Sequence, residues 1–207
     1  MTKFLSIFTF AMLLVLGSAV TAQDYVEGKH YVRIEPTVPP VGDSEGRHEV
    51  VELFWYGCPH CYDFEPDINA WKENKPDDVV FVRVPAIFNP RWEQHARAYY
   101  ALEQIGELEK GHVLIFSGMH EQNRALRDVD TIARFLAANG IDEEKFRESF
   151  NSFAVETKVN RAKELVRQYQ ITGVPAVIVD GEYKVSASTA GGYSQVIDII
   201  EQLTRAE

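Results

Sequence analysis

Only two cysteines occur in the 207 residues, Cys58 and Cys61. That excludes a small scaffold stapled by several disulfides and any four-cysteine zinc or iron–sulfur site. Positive charge is also scarce: 21 Lys and Arg stand against 31 Asp and Glu, a formal net charge of −10, and no basic stretch interrupts the acidity. A polyanion such as nucleic acid is therefore not expected as a partner, nor is adhesion to an anionic membrane surface. Thirteen Gly and nine Pro are too few for a fibrous or low-complexity chain, and there is no internal repeat. What remains, 45% hydrophobic and 25% charged residues, suits a globular protein with a real core.

The first segment, residues 1–22, reads MTKFLSIFTFAMLLVLGSAVTA. Lys3 precedes an apolar run from Phe4 to Leu16, shorter than the ~20 residues that span a bilayer. Small residues follow, ending Val20-Thr21-Ala22. This is the three-part pattern of a secretory signal peptide, with cleavage expected after Ala22 and a mature chain starting at Gln23. Exported proteins of this kind meet an oxidising compartment, where a disulfide persists.

Along the mature chain, Tyr31, Val32 and Ile34 suit a short entry strand. His48–Tyr56 is a β-branched and aromatic run, hence a buried strand, with Glu52 as its acidic intruder. Cys58–Asn74 has helical spacing, with Tyr62, Phe64, Ile68 and Trp71 apolar and Pro66 expected to kink it. Val79–Val84 is a second strand, interrupted by Arg83. Strand signals then vanish until about Val155. Helices are predicted over 91–106, 107–119, 128–138, 142–153 and 155–169, with Asp128 and Asp142 as N-caps and Gly106 and Gly140 at C-terminal ends. Ala176–Val179 and Glu182–Val185 flank an Asp180-Gly181 hairpin turn, and a closing helix covers about 193–205. The order predicts an α/β frame with an all-helical block inserted in it.

Cys58-Pro59-His60-Cys61 sits where a buried strand ends and a helix begins, the setting of a thioredoxin-type redox motif. With Cys58 at the N-cap and Pro59 at the first helical position, Pro59 costs no hydrogen bond. The unpaired N–H groups of the first turn and the helix dipole then favour a thiolate on Cys58. Cys58 is the expected nucleophile and Cys61, one turn in, the resolving thiol. Three other readings compete. A structural disulfide three residues apart would constrain little of the unfolded chain. A zinc site is starved of ligands, since Cys58, His60 and Cys61 cannot all converge on one metal from a single turn. Two inert core cysteines fit the helix-start position poorly. Glu52, six residues before Cys58 on an apolar strand, must be either partnered or titrating near neutrality, because an unpaired buried carboxylate is costly. Trp55, Tyr56 and Phe54 read as core. His30, His48, His95, His112 and His120 show no ligand spacing and read as solvated or packed.

Ile171-Thr172-Gly173-Val174-Pro175 precedes the strand at Ala176, where a proline at the first strand position is tolerable. Together with Glu52-Leu53-Phe54-Trp55-Tyr56-Gly57 before the Cys-Pro-His-Cys motif and Gly28-Lys29 near the start, Val174-Pro175 makes the chain resemble the bacterial periplasmic thiol:disulfide oxidoreductases of the DsbA family. The resemblance covers nearly the whole mature chain. It implies a thioredoxin-like fold, residues 23–87 plus 158–207, with a helical insertion over 88–157, and a cis bond before Pro175. It implies a disulfide oxidase that donates the Cys58–Cys61 disulfide to reduced, unfolded exported proteins. A DsbB-type, quinone-linked membrane oxidase would restore it. The protein would be a periplasmic monomer, with no cofactor beyond its own disulfide and no metal. In that family the nucleophilic thiol is known to sit near pKa ~3.5 against ~8.5 for free Cys, and the potential near ~−120 mV against ~−270 mV for thioredoxin.

The same resemblance gives the site residues their roles. Pro59 and His60 form the dipeptide that sets the motif apart, with His60 an added donor or cation beside Cys58. Val174 and Pro175 bind extended substrate. Glu52 assists proton transfer at the resolving thiol, and Arg83, where the family often has Lys, is its expected partner. A solvated edge pair is the other reading for Arg83, and an arginine does not give up its proton as lysine can. The helical block, without catalytic signals of its own, is expected to cap the site and widen an apolar groove. A disulfide isomerase or reductase on the same fold, or a non-redox chaperone-like module, are the alternatives.

Overall fold

The computed structural model describes residues 24–205; the expected signal peptide lies outside them. Five strands form one mixed sheet in the order β1-β5-β4-β2-β3. They are β1 (Tyr31–Arg33), β2 (His48–Phe54), β3 (Val79–Pro85), β4 (Ala176–Val179) and β5 (Tyr183–Val185). Only β2 and β3 run parallel, joined by the crossover helix α1 (Pro59–Asn74). Between β3 and β4 the chain makes α2 (Pro90–Gln104), α3 (Leu108–His120), α4 (Val129–Ala138), α5 (Glu143–Phe150) and α6 (Phe153–Gln168). The short α7 (Ala187–Ala190), which the sequence reading lacks, and α8 (Tyr193–Leu203) close the fold. This is the expected α/β architecture with a helical insertion.

Side-chain alternation on β2 divides the core. Val50 packs with Phe64, Ile68 and Trp71 of α1 and with Val196, Ile199 and Ile200 of α8. Val51 and Leu53 face the other way, into a larger cluster with Leu102, Ile115, Phe146 and Val159 of the inserted helices. Both faces of the strand are covered, which is why its sequence is nearly continuously apolar. Helix α1 buries Cys61, Phe64, Ile68 and Trp71, a stripe of helical period, and Pro66 sits exposed within it without ending it.

The helix ends follow side-chain chemistry. Asn89, Asp128, Asp142 and Ser152 each accept a first-turn backbone N–H of α2, α4, α5 and α6. Gly106 and Gly140 take positive φ just past α2 and α4. Glu49, a second acid on β2 beside the expected Glu52, is buried and accepts the N–H groups of Val41 and Gly42 at 2.8 and 2.6 Å, tying down the loop before the strand. The peptide bonds before Pro36 and Pro175 are cis.

At the β4–β5 turn Asp180 and Gly181 have φ of 54° and 65°, the two left-handed residues a tight hairpin requires. A Cβ on Gly181 would strike the Val38 carbonyl, whereas one on Gly46, also left-handed, meets nothing within 4 Å. Gly46→Ala should cost about 1 kcal/mol of backbone strain. Gly181→Ala should cost about 2 kcal/mol more from the backbone collision, lowering Tm by a further ~4–8 °C in a thermal melt. Equal Tm losses would contradict the packing of this turn.

Candidate active site

The active-site turn begins at the end of β2. Trp55 O accepts the Cys58 N–H at 2.9 Å, and Cys58 O accepts those of Cys61 and Tyr62, both at 3.1 Å, starting α1. Cys58 is the N-cap and Pro59 the first helical residue, yet no side chain caps the backbone of this helix. Its sulfur takes that place. The half-buried Cys58 and buried Cys61 are both thiols. The Cys58 thiol is lowered to about 6, first by a hydrogen bond from the Cys61 thiol, then by the backbone N–H groups of Cys61 and His60 and by the His60 charge, against an opposing effect of partial burial. Burial pushes the Cys61 thiol far up, and the neighbouring Cys58 sulfur adds to it. One sulfur is thus prepared as thiolate and the other as thiol. The direction is the one the family resemblance implies.

When protonated, Cys58 donates to Val174 O at 3.5 Å, so the cis Val174–Pro175 bond lies directly beside the Cys58 sulfur. His60 Nδ1 stands 3.4 Å from the Tyr193 hydroxyl and 4.0 Å from Asp63. A cleft of about 540 Å³ runs from His60 past Thr172–Ala176 to Lys184 and the segment Ser186–Tyr193. None of its lining residues belongs to 88–157. The expectation that the helical block widens this groove is therefore corrected: the cleft opens where β1, β5 and β4 end, away from α2–α5.

The inserted helices act behind the turn instead. Trp92 of α2 stacks on Trp55 with ring centroids 4.2 Å apart. His120 of α3 donates through Nε2 to Tyr56 O at 2.7 Å, its ring stacked on Tyr62. His112, two turns earlier, accepts the Tyr56 hydroxyl at 3.0 Å and donates to Glu65 at 3.2 Å. These directions follow because burial lowers His112 and keeps it neutral. Phe54 and Tyr56 are fully buried, as read from sequence, and His95, lowered to about 4 by burial, is packed and bonded to Leu126 O. His48 pairs with Asp180 at 2.8 Å.

Beneath the cysteines lies a charge cluster. In register across β2 and β3, Glu52 and Arg83 form a pair at 2.8 Å, both side chains shielded from solvent, which sets aside the solvated-pair reading. Arg83 also reaches Glu65 at 3.3 Å and Asn69 at 2.9 Å. One guanidinium thus serves two carboxylates. Burial pushes Glu52 up to about 7, Arg83 opposes this, and the Glu65 charge reinforces it. Glu65, although burial raises it, ends below the ordinary range through the His112 hydrogen bond and Arg83. Glu52 is therefore both partnered and titrating near neutrality, with Oε1 free of any partner. Glu65, His112 and His120 were missed by sequence reasoning; the only signal for Glu65 was its place one helical turn after Cys61 on the buried stripe.

Fold and site together define a thiol:disulfide oxidoreductase of the thioredoxin superfamily. A family model described as the DSBA-like thioredoxin domain matches residues 78–195. The thiol:disulfide interchange protein DsbA of Pseudomonas aeruginosa is 42% identical over 197 residues, covering 95% of this chain and 92% of the relative. That of Burkholderia cepacia is 36% identical over 203 residues, with 97% and 96% covered. The crystal structure of P. aeruginosa DsbA superposes with a TM-score of 0.83 at 41% identity, covering 87% of this chain and 93% of that one. A Proteus mirabilis DsbA solved with a non-covalently bound peptide PWATCDS gives a TM-score of 0.75 at 27% identity, with 88% and 100% covered. The chain belongs to the DsbA family.

In the reduced protein, iodoacetamide should modify Cys58 with a rate that rises through a midpoint at or below about 6, while Cys61 stays unmodified to pH 8. A midpoint near the ~8.5 of a free thiol would contradict the geometry described above.

Proposed function

We propose that this protein is a periplasmic disulfide oxidase that passes its Cys58–Cys61 disulfide to reduced, newly exported chains. The observation that carries this reading is the asymmetry of the two sulfurs, Cys58 lowered to about 6 and Cys61 pushed up by burial. A substrate thiolate attacks Cys58 Sγ, a mixed disulfide forms, and Cys61 leaves with the electron pair of the old S–S bond. Burial makes that leaving thiolate costly, and Glu52, titrating at about 7 nearby, supplies its proton. A second substrate thiolate then attacks the substrate sulfur of the mixed disulfide. Cys58 departs as a stabilised thiolate, a good leaving group. Two electrons have moved from substrate to protein, which is left as thiolate and thiol. The two sulfurs suffice for this chemistry, without cofactor or metal. The stabilised thiolate favours the reduced protein and so makes the disulfide a strong donor.

Val174 O and the cleft beyond it suit an extended, cysteine-bearing segment, in line with the peptide bound by the P. mirabilis relative. Pro59 sets the helix start and His60 assists the Cys58 thiolate. The chain works as a monomer, and a DsbB-type membrane oxidase coupled to quinone returns it to the disulfide form. The reading divides it into 23–87 with 158–207 and an insertion over 88–157, α6 being the helix that leads from one to the other. The signal-like residues 1–22 support export.

Equilibration with glutathione buffers, followed by tryptophan fluorescence, should give a potential near ~−120 mV; a value near ~−270 mV would mark a thioredoxin-like reductant. Cys61→Ser should accumulate a mixed disulfide with substrate, and Cys58→Ser should abolish oxidation. Substrate binding that survives Cys58→Ser, with no oxidation or trapping by any form, would favour a chaperone-like module.

A further inference from the structure

The cleft beside Cys58 has an electrostatic character unlike the rest of the chain. In a protein with 31 acidic residues, no carboxylate lines it. Its polar lining comes from the hydroxyls of Thr172, Ser186, Ser188 and Thr189 together with His60 and Lys184. Lys184, like Lys29, Lys75 and Lys110, has no carboxylate within 4.0 Å among the described residues, and of these four it alone lines the cleft. Lys72, Lys145, Lys158 and Lys163 each have a carboxylate partner within 4.0 Å. Among the described residues, Lys184 has only a carbonyl partner, donating to Gln170 O at 2.9 Å. The acid nearest to it along β5, Glu182, is taken by Arg33. An ammonium group carries three donors, so two N–H groups and a full charge remain for a visitor.

The sheet register sets where the Lys184 backbone lies, and its ammonium reaches Gln170 O, four residues before Val174. Lys184 stands opposite Ile178 on β4 and opposite Val32 on β1. Ile178 is three residues beyond Pro175, about 10 Å of strand, and Val174 O touches Cys58. One end of the cleft therefore holds His60 and the nucleophile, and the other end holds an uncompensated cation.

We infer that Lys184 is a specificity residue for the substrate chain: it selects polypeptide segments with an acidic side chain about two to four residues from their reactive cysteine. The inference rests on the oxidase reading and adds to it the chemistry of the preferred substrate. The acidic group meets the Lys184 ammonium while the segment lies extended along Val174. The remaining contacts are made by hydroxyls and by the apolar side chains of Val32, Ile171, Val174 and Pro175. A basic residue at the same place meets like charge. The effect is one of an exposed ion pair, about two- to fivefold in rate, enough to rank substrates without excluding any.

The test uses the oxidised full-length mature protein and single-cysteine peptides that differ only in carrying Asp, Asn or Lys three residues to one side or the other of the cysteine. The second-order rate of Cys58 attack is read for each. The Asp peptide should react about two- to fivefold faster than the Asn peptide at low salt, with the Lys peptide slowest and the spread shrinking at about 0.5 M salt. The Asp/Asn ratio should persist in Lys184→Arg, collapse towards one in Lys184→Gln and fall below one in Lys184→Glu. Ratios within one protein are insensitive to how much of a variant is folded. A wild-type ratio of one on both sides of the cysteine, or an unchanged ratio in Lys184→Gln, overturns the inference while leaving the oxidase reading intact. Failure of the wild type to react with any of the peptides overturns both.

Discussion

The structure turns on the open first turn of α1. Four helices of this protein satisfy their first N–H groups with Asn, Asp or Ser side chains. At α1 no cap hydrogen bond forms, and the first-turn N–H groups of His60 and Cys61 face the Cys58 sulfur instead. Pro59 shapes that start without needing a hydrogen bond of its own. The sulfur becomes the cap, and it is a good cap only when negative. The hydrogen bond from the Cys61 thiol does most to lower the Cys58 thiol, and the first-turn N–H groups of Cys61 and His60 add to it. The cysteine spacing adds the other half. Three residues on, Cys61 lies on the buried stripe with Phe64 and Ile68, where a thiolate is disfavoured.

Beneath the cysteines, the charge cluster keeps one carboxylate near neutrality. Arg83 is shared between Glu52 and Glu65 and fully neutralises neither pair. Glu65 is the better served, through His112 and Asn69 as well, which leaves Glu52 near neutrality with a free oxygen. The inserted helices enter the mechanism here. Through His112 and His120, α3 holds the Tyr56 side chain and backbone from behind, so the insertion braces the turn while the cleft beside Cys58 opens on the sheet side.

What the sequence made legible was local. The redox motif, the caps at Asp128 and Asp142 and the Asp180-Gly181 turn all depend on neighbours within a few residues, and they stand as read. Glu52 was legible as a lone carboxylate on an apolar strand, and its partner Arg83 as the matching intruder on the next strand. The expected cis bond before Pro175 came from the family resemblance, since composition and spacing do not select it. Glu65, His112 and His120 were not legible, because their meaning arises from contacts 47 to 64 residues away in the chain. Glu65, between Phe64 and Pro66, carries no local signal beyond its place beside the buried stripe. The groove was misassigned for a related reason: linear order shows that a helical block exists, not which end of the sheet it leaves open.

A Cys58 thiolate of this kind should stabilise the reduced protein. The most direct test is urea unfolding of the dithiol and disulfide forms from pH 5 to 8. The folded thiol lies at about 6, below the ~8.5 of an unfolded one, so its contribution is present at high pH and is lost as pH falls through 6. Glu52 titrates in both forms and largely cancels in the difference. The account predicts that the dithiol form is the more stable at pH 7 to 8 and that its advantage narrows towards pH 5. A disulfide form that is more stable throughout, or a gap that ignores pH, would contradict it.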